Sequence, residues 1–291
     1  MILVIGATST IGQAVIPMLQ EAGHSLRLTS RTPEKLDDFA GKDVEVMQAD
    51  LLDEASIRRA CNGVDVVFAS VASMLGRGKN ASQHVDLDGQ CRLIDIAVEA
   101  GVKHFVYMST HEATHDNPVA FFRYKAQTED YLRESGLTYT ILRASAFFEP
   151  HATLIGEDVL KGGSAMIMGR GDNPRNFVAN CDVARFAFIA LTDPRAYNQT
   201  IEIGGPENLT SKQVAEIYAR AAGVDLKIRS IPRAVPRVMS PVVKLFHPGI
   251  ANVMDAIVDS DTRDKSFDPS ETLAEYPVPL TKLEDWVRSQ M

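Results

Sequence analysis

Met1–Gly12 reads MILVIGATSTIG, and the fold follows from this stretch. Ile2 to Ile5 is a short, wholly apolar run, the pattern of a strand buried on both faces of a parallel sheet. Gly6 ends the run. From Thr10 onward apolar residues recur at helical spacing, at Ile11, Val15, Met18 and Leu19. A strand, a glycine turn and a helix start therefore gather the backbone amides around Thr8, Ser9, Thr10 and Ile11 at one point. Such a point binds an anion, most often the pyrophosphate of a dinucleotide. Gly6 lets the chain turn sharply, and Gly12 lets the helix pack closely on the strand.

The rest of the first half repeats this alternation. Ser25 to Ser30 reads as a second strand ending at Ser30-Arg31, followed by a Thr32-Pro33 turn and a helix through Lys35 and Leu36. Val44 to Ala49 is a third strand ending at Asp50-Leu51, and Leu52 to Cys61 an amphipathic helix. Val64 to Ser70 is a fourth strand, Asn80 to Gly101 one long helix, and His104 to Ser109 a fifth strand. A loop leads to a helix over about Val119 to Ser135, then a sixth strand over Leu137 to Leu142. Strands alternating with helices predict an α/β fold with a doubly wound parallel sheet, whose ligands bind beyond the carboxyl ends of the strands. Gly6, Arg31, Asp50, Ser70 and Ser109 all fall at such ends. An NAD-selective site places an acidic residue at the end of the second strand; here Ser30 and Arg31 stand there, which suits a 2′-phosphate. Lys35 adds a second positive charge. NADP(H) is thus the expected cofactor and NAD(H) the second choice, the bland alternative being a solvated turn arginine.

Bulk properties narrow the class. The chain has 291 residues, 45% hydrophobic, with a formal net charge of -8 and a mean hydropathy of -0.07. No run of basic residues points to nucleic acid, and no apolar run is long enough to span a membrane. Neither nucleic acid nor membrane is expected as a partner. The first strand begins at residue 2, leaving no room for a targeting peptide, so a cytoplasmic location is expected. Cys61, Cys91 and Cys181 are odd in number and far apart, which suggests neither a disulfide framework nor a metal site.

VIGATSTIG resembles the opening of the NmrA-like, atypical short-chain dehydrogenase/reductase family, with Ser9 where the G-x-x-G-x-x-G pattern has its middle glycine. A Cβ there would crowd a close backbone approach to phosphate, although the hydroxyl could compensate. Two further segments resemble the family. One runs from Lys125 through SGLTYTILR to Phe148-Glu149; the other is Asn176 to Phe188, NFVANCDVARFAF, followed by DPRAYNQTIEIGGPENLT. The resemblance implies a Rossmann domain over residues 1–150 and a smaller C-terminal substrate lobe over 151–291, with residues of about 176–205 returning to the first domain. It further implies that Asp50 and Leu51 lie by the adenine and that Ala69, Ser70 and Val71 lie along ribose and pyrophosphate. Ser145 to Phe148, including Phe147, would flank the nicotinamide.

Short-chain dehydrogenases carry Tyr-x-x-x-Lys on the helix after the fifth strand, one turn placing both side chains on one face. Here the residue four before Lys125 is Phe121, and Tyr124 is adjacent to Lys125, about 100° around the helix. FFRYKAQTEDYL resembles the reductase branch of the family, in which the corresponding lysine is the proposed acid–base. The resemblance gives Lys125 the role of ribose ligand and proton donor, with Ser109 and Thr110 orienting the substrate. The competing reading is a solvated lysine paired with Glu129 at i+4. Two further strings carry little. His111-Glu112-Ala113-Thr114-His115 matches a zinc-protease pattern but runs into Asp116-Asn117-Pro118, a loop signature. Arg170-Gly171-Asp172 reads as a polar loop before a strand at Phe177. The expectation is an NADPH-dependent reductase of a carbonyl, enone, quinone or benzylic ether. Its rivals are a non-catalytic NADP(H) sensor acting through a protein partner and an assembly scaffold.

Overall fold

The computed structural model describes residues 1–291. Two compact units emerge, Met1–Arg143 with Val183–Ile201, and Ala144–Asp182 with Glu202–Met291. In the first, strands β1 (Ile2–Ile5), β2 (Leu26–Ser30), β3 (Val44–Gln48), β4 (Val66–Ala69), β5 (His104–Thr110) and β6 (Thr138–Ala144) fall where the apolar runs predict them. The sheet order is β3-β2-β1-β4-β5-β6, the doubly wound arrangement, and β1 pairs in parallel with both β2 and β4. Helices α1 (Thr10–Glu21), α2 (Glu54–Cys61), α3 (Gln90–Glu99) and α4 (Ala120–Glu134) follow β1, β3, β4 and β5.

Two helical elements depart from the α form. The helix read through Lys35 and Leu36 takes the tighter 3₁₀ form over Pro33–Phe39. The long helix predicted from Asn80 begins instead as a π-helix over Gln83–Gly89 that continues into α3. Gly89 explains the wider turn: a Cβ there would lie 2.9 Å from the His84 carbonyl oxygen and 3.0 Å from Leu51 Cγ, so the backbone packs directly on Leu51. The core between helices and sheet includes Leu3, Ile57, Leu93, Phe105 and Tyr107, all essentially inaccessible to water.

The second unit holds β7 (Ala146–Phe147), α5 (Thr153–Gly162), β8 (Ser164–Met168) and β9 (Arg175–Val178). The chain then passes through α6 (Asn180–Thr192) and β10 (Gln199–Ile203), which belong largely to the first unit; β10, a strand that sequence periodicity did not reveal, extends the large sheet beside β6. There follow β11 (Glu207–Leu209), α7 (Ser211–Ala222), β12 (Lys227–Ile231), α8 (Ala234–Lys244), α9 (Pro248–Ser260), α10 (Ser270–Glu275) and α11 (Leu283–Ser289). The second unit's core gathers Phe148, Val159, Tyr218 and Leu283, with Trp286 packed at 5.9 Å from the Phe148 ring. Arg170, Gly171 and Asp172 lie in a loop before β9, where the amides of Arg170 and Gly171 donate to Asp261 Oδ1. No helix is long and apolar enough to cross a membrane.

Candidate active site

The sheet order reverses between β1 and β4, and a crevice forms where adjacent connections leave in opposite directions. Gly6 ends β1 at φ +92°, a conformation L side chains rarely adopt. A Cβ on Gly6 would lie 2.9 Å from Val71 Cγ2, and one on Gly12 only 2.5 Å from the Gly6 carbonyl oxygen. The turn is therefore a tight cradle that two glycines keep open.

Ser9 has a structural task. It is the N-cap of α1, its hydroxyl accepting from the Gly12 amide at 3.0 Å. The same hydroxyl lies 2.9 Å from Ser70 Oγ, which also reaches the Gly6 carbonyl oxygen at 3.2 Å. Ser9 thus caps α1 and ties the ends of β1 and β4 together. The first-turn amides of Thr10 and Ile11 have no acceptor within their helix. No acidic residue occupies that first turn, which leaves the positive end of the helix dipole for a bound anion.

Around this cradle Arg31 and Lys35 are exposed and make no ion pair. Ser30 Oγ accepts from the Thr32 amide at 3.0 Å and Gln48 Nε2 donates to the Arg31 carbonyl, so the turn carrying Arg31 is held from two sides. Asp50 accepts from the Leu52 amide through Oδ1 at 3.0 Å. Leu51 is buried and packs on Gly89, so its side chain belongs to the core. Val71 receives Gln90 Nε2 on its carbonyl at 3.2 Å. A dinucleotide with a 2′-phosphate fits these residues: a cradle that any Cβ would fill, an acid-free helix start, and two unpaired cations at the end of β2.

Lys125 is 2% exposed. Its Nζ donates to the Met108 carbonyl oxygen at 3.1 Å, near the carboxyl end of β5. It lies 3.4 Å from Asp86 Oδ1 and 4.8 Å from the Tyr107 ring centroid. Burial pushes the Lys125 ammonium below the usual lysine range, opposed by the Asp86 charge. Burial likewise pushes the Asp86 carboxyl up, opposed by Lys125 and by hydrogen bonds from Ser82 Oγ and the Ser73 amide. Neither a solvated lysine nor an i+4 pair with Glu129 is present.

Glu129 is itself buried and belongs to another cluster. It accepts from Ser109 Oγ, from Arg143 Nη2 at 2.6 Å and from Arg133 Nη2 at 3.0 Å. The Ser109 proton is thus committed to Glu129. Thr110 is half-buried, and its Oγ1 accepts only a long contact, 3.4 Å, from the Glu112 amide. Tyr124 is half-buried. His111 to His115 form a loop after β5, and His115 Nε2 lies 2.6 Å from Asp130. In the second unit Ser145 Oγ donates to Asn176 Oδ1 at 2.8 Å, and Phe147 is half-buried. Phe148 is fully buried in that unit's core, which corrects its expected place beside a ligand. Sequence reasoning missed Asp86 and named Glu129 only as an i+4 partner of Lys125. The only signal for Asp86 was an acidic residue on the inward stripe of a helix.

The NmrA-like family matches residues 1–284. A photosystem II assembly factor, Ycf39 of Trieres chinensis, is 25% identical over 98% of this chain and 91% of its own length. An NAD(P)H azoreductase of Xenophilus azovorans is 27% identical over 95% of this chain and 96% of its own. The structure of an NADPH-dependent quinone oxidoreductase from Escherichia coli, complexed with NADPH, superposes with a TM-score of 0.79 at 25% identity, covering 100% of this chain and 99% of that one. With a glycine cradle at the switch point of a doubly wound sheet and a match along nearly its whole length, this chain belongs to the NmrA-like family.

Proposed function

We propose that this protein is an NADPH-dependent reductase of a small organic acceptor, with a quinone, azo, enone or carbonyl group as the substrate class. The observation that carries this reading is the acid-free cradle between β1 and β4, with the unpaired cations Arg31 and Lys35 at the neighbouring strand end. The similarity to an azoreductase and a quinone oxidoreductase supports the acceptor class. The amides of Thr8, Thr10 and Ile11 hold the pyrophosphate, Arg31 and Lys35 the 2′-phosphate, and Asp50 the adenine. When bound, NADPH supplies the two-electron reducing equivalent. Lys125 binds the nicotinamide ribose and releases a proton from Nζ toward the acceptor. Asp86 opposes the loss of charge that burial imposes on that ammonium and holds it against β5. Thr110, whose hydroxyl is the least committed at that strand end, orients the acceptor. Ser109 acts through Glu129 to fix the strand end rather than as a donor. An NADPH-consumption screen over quinone, azo, enone and carbonyl acceptors tests the reading, run beside direct titration of NADPH and NADH. Turnover with at least one class and tighter NADPH binding support it.

A second reading is a cofactor-dependent sensor without turnover. It is favoured by the internal satisfaction of Lys125 and Ser109, both of whose donors already have buried acceptors. Tight NADPH binding with no oxidation by any acceptor would select it.

A further inference from the structure

The second unit carries a surface that the reductase reading does not use. Helix α8 buries Pro236 and Ser240 and turns the opposite side to water. Val235, Val238, Val242 and Leu245 follow a three–four–three spacing, so they form one stripe along the helix. All four are exposed, as are Met239 and Phe246 on the flank of the stripe. The stripe ends at the tip between α8 and α9, where Leu245 is 80% and Phe246 79% exposed. Large apolar side chains left this open in a contiguous row mark an interaction surface rather than scattered exposure.

Charge says what covers it. From Leu226 to Met254 the sequence has Lys227, Arg229, Arg233, Arg237 and Lys244 and no Asp or Glu, in a chain of net charge -8. These cations are spaced out, so they do not show as a basic run. Arg237 and Lys244, seven residues apart, lie on one side of the apolar stripe, exposed and without an ion pair. An exposed apolar face edged by cations is the pattern of a helix that lies in a membrane interface. The lack of a spanning helix concerns crossing a bilayer and leaves this untouched. A symmetric contact with a second copy fits less well, because it would bring the same cations together.

We propose that the α8–α9 hairpin docks on an anionic lipid surface, with Leu245 and Phe246 entering the headgroup boundary and Arg237 and Lys244 facing the phosphates. The apolar tip supplies the buried area and the cations supply the selectivity for charge. Binding is reversible and peripheral, and falls with salt as the surface field is screened.

The test is co-sedimentation of the full chain with vesicles of phosphatidylcholine alone and of phosphatidylcholine mixed with phosphatidylglycerol, at low and high salt. The parent binds the anionic vesicles at low salt and releases them at high salt. With a cation near such a surface worth about fivefold, removing both in Arg237→Gln with Lys244→Gln lowers binding roughly 25-fold. Leu245→Asp with Phe246→Asp lowers it at least as far. If that pair disturbs folding, seen by circular dichroism, the glutamine pair decides. Equal binding to neutral and anionic vesicles, or none to either, overturns the proposal. So does loss of a dimer in the Asp pair when the parent ignores vesicles, which makes the face an interface between copies. Retention of an acidic protein but not of anionic vesicles overturns it as well.

Discussion

Lys125 Nζ lies 3.4 Å from Asp86 Oδ1, and both side chains are buried between α4, the π-helical turn and β5. Thirty-nine positions separate them in the chain, so the pair exists only because the fold brings two helices onto one strand. An ion pair taken out of water gains little net stability, but losing one member leaves the other uncompensated. Asp86→Asn is therefore expected to destabilise by about 3–5 kcal/mol, read as a shift in the urea midpoint at unchanged slope. Asp86→Leu with Lys125→Met removes both charges and recovers most of that loss. A loss below about 1 kcal/mol for Asp86→Asn, the range of an exposed pair, would refute the account of the pair.

The proposed preference for NADPH rests on Arg31. Arg31→Asp removes a guanidinium from the proposed 2′-phosphate site and adds repulsion, costing about 1.5–3 kcal/mol, roughly ten- to a hundredfold in NADPH affinity. NADH affinity changes little. Equal affinity of the parent for NADPH and NADH contradicts this assignment.

Ser9 is expected to matter to stability first. Ser9→Ala removes the cap of α1 and the link to Ser70, a loss of about 1 kcal/mol. Thermal unfolding of the variant with and without NADPH checks it. An unchanged midpoint in both states rules out the capping role.

His104 sets an acid limit on stability. Its Nε2 lies 2.9 Å from Thr140 Oγ1, and that hydroxyl donates to the Ala196 carbonyl, so His104 Nε2 is the donor. Nδ1 is buried without a partner. Burial pushes the His104 pKa down to about 4, against 6.5 when unfolded. Between these values the unfolded chain binds more protons, so the contribution is whole above pH 6.5 and is lost as pH falls toward 4. The full effect is on the order of 3 kcal/mol. Unfolding free energies at neutral and mildly acidic pH check it, with His104→Gln expected to flatten the dependence. A variant with the parent's pH dependence would exclude His104 as the cause.

The six strands from β1 to β6 were legible because parallel strands buried on both faces read as continuous apolar runs. The glycine turn was legible because Gly6 and Gly12 answer steric demands that only glycine meets. β10 was not. Gln199–Ile203 alternates over five residues and follows a turn whose Asn198 sits at φ 58°, so local pattern gives it no boundary. The π-helical start at Gln83 escaped because its cause, the approach of Gly89 to Leu51, is tertiary. The partners of Lys125 and Ser109 escaped for the same reason: periodicity marks Asp86 and Glu129 as inward-facing but does not say what they meet. Helical spacing suggested Glu129 for Lys125, and burial gave it Asp86.

In the proposed reaction Lys125 delivers the proton in an NADPH-dependent reduction. Single-turnover oxidation of bound NADPH by an acceptor that supports turnover, in the parent, in Lys125→Met and in Tyr124→Phe, tests it most directly. A positioned general acid is worth about 10²–10⁴-fold. Lys125→Met is expected to slow the step by that factor with NADPH affinity only modestly weaker, while Tyr124→Phe stays close to the parent. Unchanged turnover in Lys125→Met with NADPH still bound, or its abolition in Tyr124→Phe alone, would contradict the account.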